Sequence, residues 1–346
     1  FFHPDPTVKR QSGLLQPQLN DSNILGSSIT IPYFGVISEN KDYTLVSTLF
    51  DKNTKMLQNE FRYIDKNTSL LLDMGIVRDF KSTTGKKKNI NHLFSKYNVD
   101  LDLENFDNSK LEFTVERTTN DTYLKSFDQY LLLNSVKPKN SNTLNNQVKL
   151  TLDHQDYNFT SEIGAYESLD KSSSDRYQYI IPSYSFNKSL TSNFLDGSIN
   201  FNSSGDNNLN NTNVLKSNII NKISYQGNDN ISKLGFKNNF NIETMNLNSL
   251  GKNSSEYKSS PQIELMNIFE FKSYLPLIKE DDRFINYLTP KASLRLNTSD
   301  MKNYSGLDRT INTNNIFNIN RLGLNDSFES GKSLSLGIDY KKENLE

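Results

Sequence analysis

Alternation of apolar and polar residues with a period of two recurs along this chain, and it limits the fold more than any other feature. In "NVDLDLEN", Val99, Leu101 and Leu103 alternate with Asp100, Asp102 and Glu104. In "KLEFTVER", Leu111, Phe113 and Val115 alternate with Glu112, Thr114 and Glu116. Val148, Leu150 and Leu152 repeat the pattern, as do Leu334, Leu336, Ile338 and Tyr340. Successive strand side chains point to opposite faces, so each segment has one apolar and one polar face. Turn-forming stretches such as "DNSK", "LDGS" and "SSGDNNLNNTN" separate the segments. Helical spacing is nearly absent, and "SFDQYLLLNS" and "LPLIKEDDRFINYL" have room for a helical turn each. The expected class is all-β.

Apolar faces on many strands need a cover: a second sheet in a sandwich, the next coil in a solenoid, or lipid around an outer-membrane barrel. Only 34% of residues are apolar, and the mean hydropathy is −0.66. A large antiparallel up-and-down transmembrane barrel explains these values best, because one residue in two faces lipid and the other faces a wet lumen. The 21 Phe and 17 Tyr argue against disorder. With no Trp in the chain, an interfacial girdle has to be Tyr and Phe. Asp100, Asp102, Glu104, Glu112 and Glu116 are the lumen-facing candidates. A soluble β-sandwich or solenoid adhesin is the alternative.

Chemistry is conspicuous by its absence from the motifs. The 39 basic and 40 acidic residues leave a net charge of −1, so nothing draws the chain to nucleic acid. Without cysteine there is neither a disulfide nor a thiolate metal site. His3, His92 and His154 lack ligand-like spacing; His154, beside Asp153 and Asp156, reads as a polar turn. No nucleophile elbow or phosphate loop occurs, and Asp281 and Asp282 sit in a polar loop. Lys86, Lys87 and Lys88 read as a solvated loop tip. No catalytic, metal or cofactor residue is expected. The opening "FFHPDPTVKR" reads as a segment of a longer protein.

One stretch carries more than periodicity. "KRQSGLLQP", then "ITIPYFGVISENKDYTL" and "LQNEFRYI", resembles the LptD family of outer-membrane proteins that insert lipopolysaccharide into the outer leaflet. The matching features are Ser12-Gly13, Pro17 after its apolar pair, Pro32-Tyr33 and Asn59 to Tyr63. "LTPKASLRL" and "YSGLDR" are similar to later strands of that family. The resemblance implies that residues 1–13 are the end of a periplasmic jelly-roll and its linker. Residues 14–346 would then be N-terminal and middle barrel strands, about sixteen to eighteen of them, left open because closing strands are missing. It also implies a bacterial outer-membrane location. The implied partners are lipopolysaccharide, a lipoprotein plug of the LptE type and a periplasmic bridge protein of the LptA type.

In this family the first and last strands meet at a seam that opens sideways. Proline has no N–H, so Pro17 and Pro32 are the expected lateral-gate residues. The other reading is structural: Pro17 precedes the first strand and Pro32 marks a bend or bulge.

Overall fold

A computed structural model describes residues 10–51, 53–81, 87–171, 175–190, 196–300, 310–324 and 328–344. Nineteen strands run through these residues, with a single short α-helix among them. No helix among the described residues is long and apolar enough to cross a membrane. The chain divides into two compact units: Phe1–His154 with Thr160–Pro182 and Asn210–Thr212, and Gln155–Phe159 with Ser183–Leu209 and Asn213–Glu346.

In the first unit, β1 (Gly13–Leu14) and β2 (Gln18–Asn20) both pair antiparallel with β3 (Ser28–Ser38). The meander continues through β4 (Lys41–Phe50), β5 (Lys55–Ile64), β6 (Thr68–Lys81), β7 (Lys87–Asp100), β8 (Asn108–Thr118) and β9 (Thr143–Asp153). Each is antiparallel to the one before it. β9 also pairs with β10 (Tyr157–Ser168). Turns at one end of the strands are tight, as at 39–40 and 65–67, whereas 119–142 is a long insertion at the other end.

That insertion decides the core. It holds α1 (Tyr123–Phe127) and a 3₁₀ turn at Asp128–Tyr130, so "SFDQYLLLNS" is helical where its spacing allowed, beginning earlier than its Ser126. Tyr123, Leu124, Phe127, Tyr130, Leu131 and Val136 bury themselves against Phe50, Met56, Val77, Ile90 and Phe94 of the strands. The covered face is therefore the inner one. On the other face Leu57 lies opposite Ile76, and both remain exposed together with Met74 and Leu49. Tyr63, Leu70, Tyr97, Phe113 and Val148 form a cross-strand row on that outer face. Three of its five residues are aromatic. An exposed apolar outer face, opposite a covered inner face that mixes apolar and polar side chains, is unlike a soluble sandwich.

The alternation in "NVDLDLEN" overran its strand. β7 stops at Asp100, and 101–107 form a turn with Asp102 and Asn105 at φ 48° and 72°. Four Asp and Asn residues in eight favour a left-handed turn over continued pairing, so the backbone turns there even though the hydropathy still alternates.

The second unit repeats the construction. It contains β12 (Gly197–Asn210), β13 (Val214–Gly227), β14 (Asn230–Ile231), β15 (Lys237–Lys252), β16 (Gln262–Tyr274), β17 (Leu277–Glu280), β18 (Phe284–Asn297) and β19 (Gly331–Asn344). β11 (Tyr177–Leu190) is divided between the units. β13, β15, β16, β18 and β19 pair antiparallel in that order. The helical turn expected in "LPLIKEDDRFINYL" is instead a hairpin. Leu277 opposes Leu288, Ile278 opposes Tyr287, and Asp281 and Phe284 exchange backbone hydrogen bonds at the turn. Cross-strand pairing outweighs the weak helical spacing there. Residues 310–324 and 328–330 lie on the inner face, where Phe328 packs with Met245, Leu247, Met266 and Ile268. Outward, Leu334, Leu336 and Ile338 of β19 are 65%, 71% and 68% exposed. The architecture is a nearly all antiparallel β-meander consistent with a portion of an outer-membrane β-barrel.

Candidate functional site

The first strand is broken. Between Leu14↔Tyr33 and Gln18↔Thr30, the three residues Leu15, Gln16 and Pro17 face only Ile31 and Pro32. The extra residue forms a bulge, and Pro17 separates β1 from β2. Pro32 sits in regular register with Val46, so the β3–β4 ladder runs past it. The Leu15 amide donates to the Pro32 carbonyl at 2.9 Å. N–H and C=O of one strand residue point the same way, so the donor that Pro32 lacks lies on the first-strand side. The Leu15 carbonyl receives nothing back from position 32. Both prolines thus act on one pairing, between the first strand and β3.

Pro290 in β18 is a comparison within the same chain. Leu275 donates its amide to the Pro290 carbonyl at 3.0 Å, and Pro276 lies between β16 and β17. Here the register continues without an extra residue, from Tyr274↔Lys291 to Leu277↔Leu288. A strand proline alone is therefore not distinctive. What singles out the first strand is its combination with a bulge and two very short pieces.

The inner face of the first unit carries a buried polar cluster. Thr44, Glu60, Asp73, Phe94 and Glu116 form one cross-strand row. His92 lies over Gly75, its cross-strand neighbour, where an added Cβ would sit 2.3 Å from the ring. Glycine is required there by close approach. The imidazole contacts Asp73 Oδ1 at 3.1 Å through Nε2 and the Tyr123 hydroxyl at 2.6 Å through Nδ1. Asn134 Nδ2 donates to both Glu60 (2.8 Å) and Asp73 (3.1 Å), and Gln58 Nε2 donates to the Tyr130 carbonyl at 2.8 Å. Strand side chains thus hold the insertion on the inner face. At the insertion's edge, Arg176 chelates Asp121 through two nitrogens at 2.6 and 3.0 Å, which pulls the Asp121 carboxyl below its ordinary value. In the second unit the buried Arg295 donates to the Ile319 and Glu329 carbonyls at 3.0 and 2.7 Å, holding the backbone at those two residues in the same manner.

Of the lumen candidates, Glu112 and Glu116 share the inner face. Glu116 accepts from the Asn145 amide at 2.7 Å, and Glu112 pairs with Lys96 at 3.1 Å. Asp100 ends β7 and accepts from the Asp102 amide. Asp102 and Glu104 lie in the exposed turn rather than on a strand, and Asp102 approaches Lys66. His154 packs edge-on against Phe106 between β9 and β10. His3, Lys86 and the "YSGLDR" stretch lie outside the described residues. Among the described residues no three metal-ligating side chains gather. Glu60, Asp73 and Asn134 escaped the sequence reading. The available signal was a lone Asp73 within the apolar "SLLLDMGIV", two residues before a strand glycine.

No family model matches the chain. Over 183 residues, it is 25% identical to the LPS-assembly protein LptD of Pseudomonas fluorescens; the match covers 53% of this chain and 19% of that protein. Over 57 residues it is 39% identical to the LPS-assembly protein LptD of Albidiferax ferrireducens, covering 16% of this chain and 7% of the relative. The LPS-assembly protein LptD of Legionella pneumophila (strain Paris) is 38% identical over 60 residues, covering 17% and 7%. The matches therefore span at most about a fifth of these relatives' length. Among solved structures, a bacterial polysaccharide outer membrane secretin covers 93% of this chain and 92% of its own, with 8% identity and a TM-score of 0.28, too low to relate the two folds.

Proposed function

We propose that this chain is part of an outer-membrane translocon of the LptD kind, which passes lipopolysaccharide to the outer leaflet without chemical change. Residues 10–13 are the linker, and residues from 14 onward are barrel wall. The observation that carries this reading is the half-paired first strand. Leu15 donates to Pro32 and receives nothing back, so the first strand is held to β3 by a ladder that a bulge and two prolines interrupt. The seam of this reading lies between the first and last strands; a first strand already short of a ladder bond on its β3 side is held less firmly, so it swings away from that seam at less cost than an intact strand.

Lipopolysaccharide needs such a seam because its sugars require a polar path while its acyl chains require lipid. The partly exposed carboxylates of the inner face, Glu112 and Glu116, line that path. The first strand is the movable leaf, and the similarity to LPS-assembly proteins supports the assignment. A lipoprotein plug and a periplasmic bridge protein are the partners that this role calls for.

The test uses the full-length protein in cells. Pro32→Ala restores a donor to Leu15 and should stabilise the closed state by about 1 kcal/mol or more. Surface lipopolysaccharide should fall about five- to tenfold while barrel assembly stays normal. Pro290→Ala, which has the same amide-to-proline-carbonyl bond without the bulge and lies away from the first strand, should leave export unchanged. A cysteine crosslink between the first strand and the last strand of the whole barrel should block export outright. Normal surface lipopolysaccharide in a fully crosslinked strain overturns the gate.

A further inference from the structure

We infer that Arg10 and Ser12 form a releasable clasp that closes the first strand onto the wall, taking over where the prolines remove the ladder. Three observations meet at one cross-strand row. Asp42 of β4 lies directly opposite Val36 on one side and Arg62 on the other. Ser12 Oγ accepts the Val36 amide at 2.8 Å, next to the register shift between Val36 and Ser38. Arg10 reaches the same row. It pairs with Asp42 Oδ2, and its guanidinium lies 5.6 Å from the Phe34 ring centre. The Arg62 guanidinium is 5.7 Å from that ring. Arg10 Nη1 also approaches the Glu39 carbonyl at the β3–β4 turn. Residues 10–12 are therefore tied to β3, β4 and the turn between them immediately before the first strand begins.

The chemistry makes this tie releasable rather than permanent. The Asp42 side chain is 5% exposed, and a buried carboxylate stripped of every partner is strongly destabilising. Asp42, however, has two arginines. Arg62 Nε holds its Oδ1 at 2.6 Å, and Arg62 Nη1 also holds Glu60 at 3.1 Å. When Arg10 leaves, Asp42 keeps a charge-assisted bond, so the wall stays intact and only the linker is freed. The Arg10 side chain is 49% exposed, so its pairing is weak and screened by salt. A permanent staple would be buried on both sides. The same positions give the "RQSG" stretch a purpose: Arg10 for the charge, Ser12 for the acceptor, and Gly13 to begin the strand.

The clasp's effect on export rests on the gate reading, but its existence does not. The experiment is hydrogen exchange on the full-length protein in bilayers, following the amides of residues 13–20, with surface lipopolysaccharide scored in parallel. Arg10→Gln should speed exchange of 13–20 about three- to fivefold, while the β5–β6 amides stay at parental rates. Raising salt should speed the same amides in the parent but not in Arg10→Gln, and Arg10→Lys should restore part of the protection. Ser12→Ala, which leaves the charges in place, should speed exchange without removing the salt response. Exchange of 13–20 at the parental rate in Arg10→Gln, or an equal salt response in both, overturns the clasp. If exchange changes as expected but a crosslinked first strand still exports normally, the clasp stands and the gate falls.

Discussion

Glu60 and Asp73 lie directly opposite each other on neighbouring strands, and both are buried. Like charges in that position repel, more so where water is scarce. The contact persists because groups surround it: Asn134 donates to both carboxylates, Arg62 approaches Glu60, and His92 approaches Asp73. The pair therefore does more than line a wall. It captures the tip of the insertion, which is the element able to relieve it.

Replacing Asn134 with Leu should release that tip at a cost of about 1–3 kcal/mol, the range for stripping a buried acceptor of its donor. Exchange of the amides at 123–131 should accelerate. Adding Asp73→Asn should recover part of the loss in a double-mutant cycle, because only one charge then remains. Equal penalties in both backgrounds would refute the bridging role.

Gly75→Ala should act on the same segment from the strand side. Its new Cβ would meet the His92 ring, so the imidazole must leave Tyr123 or the strand must shift. Overpacking of this kind costs about 1–3 kcal/mol. Protease sensitivity within 119–142 is the readout, and Gly13→Ala, where nothing lies within contact distance, is the matched control.

Outward residues should respond to charge according to depth. Met74→Arg, in the middle of β6 on the exposed apolar face, should cost about 2–4 kcal/mol of folding stability in bilayers. Leu101→Arg should cost far less, because Leu101 lies in a turn beyond the end of β7. Urea titration of folding into vesicles measures both, and equal costs would contradict the facing.

Acid should loosen the insertion's edge. The Arg176 hydrogen bonds hold the Asp121 carboxyl below its ordinary value of 3.8. For a carboxyl lowered on folding, the stabilisation is present above the unfolded value and lost as pH falls through the folded one. Exchange near residues 119–123 should therefore rise at pH values below 3.8, and Asp121→Asn should abolish that acid-dependent step. A step of unchanged size in the variant would assign it to another group.

In the second unit, Arg295→Met should loosen residues 310–324 and 328–330, because the Ile319 carbonyl loses its donor and the Glu329 carbonyl keeps only Asn297. The expected cost is about 2–3 kcal/mol, read as faster proteolysis near Phe328. Protease resistance equal to the parent would show that packing of Phe328 alone holds the segment.

What the amino-acid order determined by itself is the local geometry. Period-two alternation fixes which side chains share a face, so β8, β9 and β19, and the placement of Glu112 with Glu116, follow from spacing alone. The Asn- and Asp-rich stretches fix where turns occur, although the alternation hid the turn at 101–107. Tertiary structure decided what each face meets. Nothing local in "SFDQYLLLNS" says that it folds onto β5–β7, because Glu60, Asp73, His92 and Asn134 belong to separate elements and become a cluster only when the strands pair. The same holds for Pro32. Sequence shows that a donor is missing, but only the direction of the Leu15–Pro32 bond shows which neighbour loses it. Short-range sterics are written residue by residue, whereas hydrogen-bond partners and buried charges depend on contacts between residues far apart in the chain.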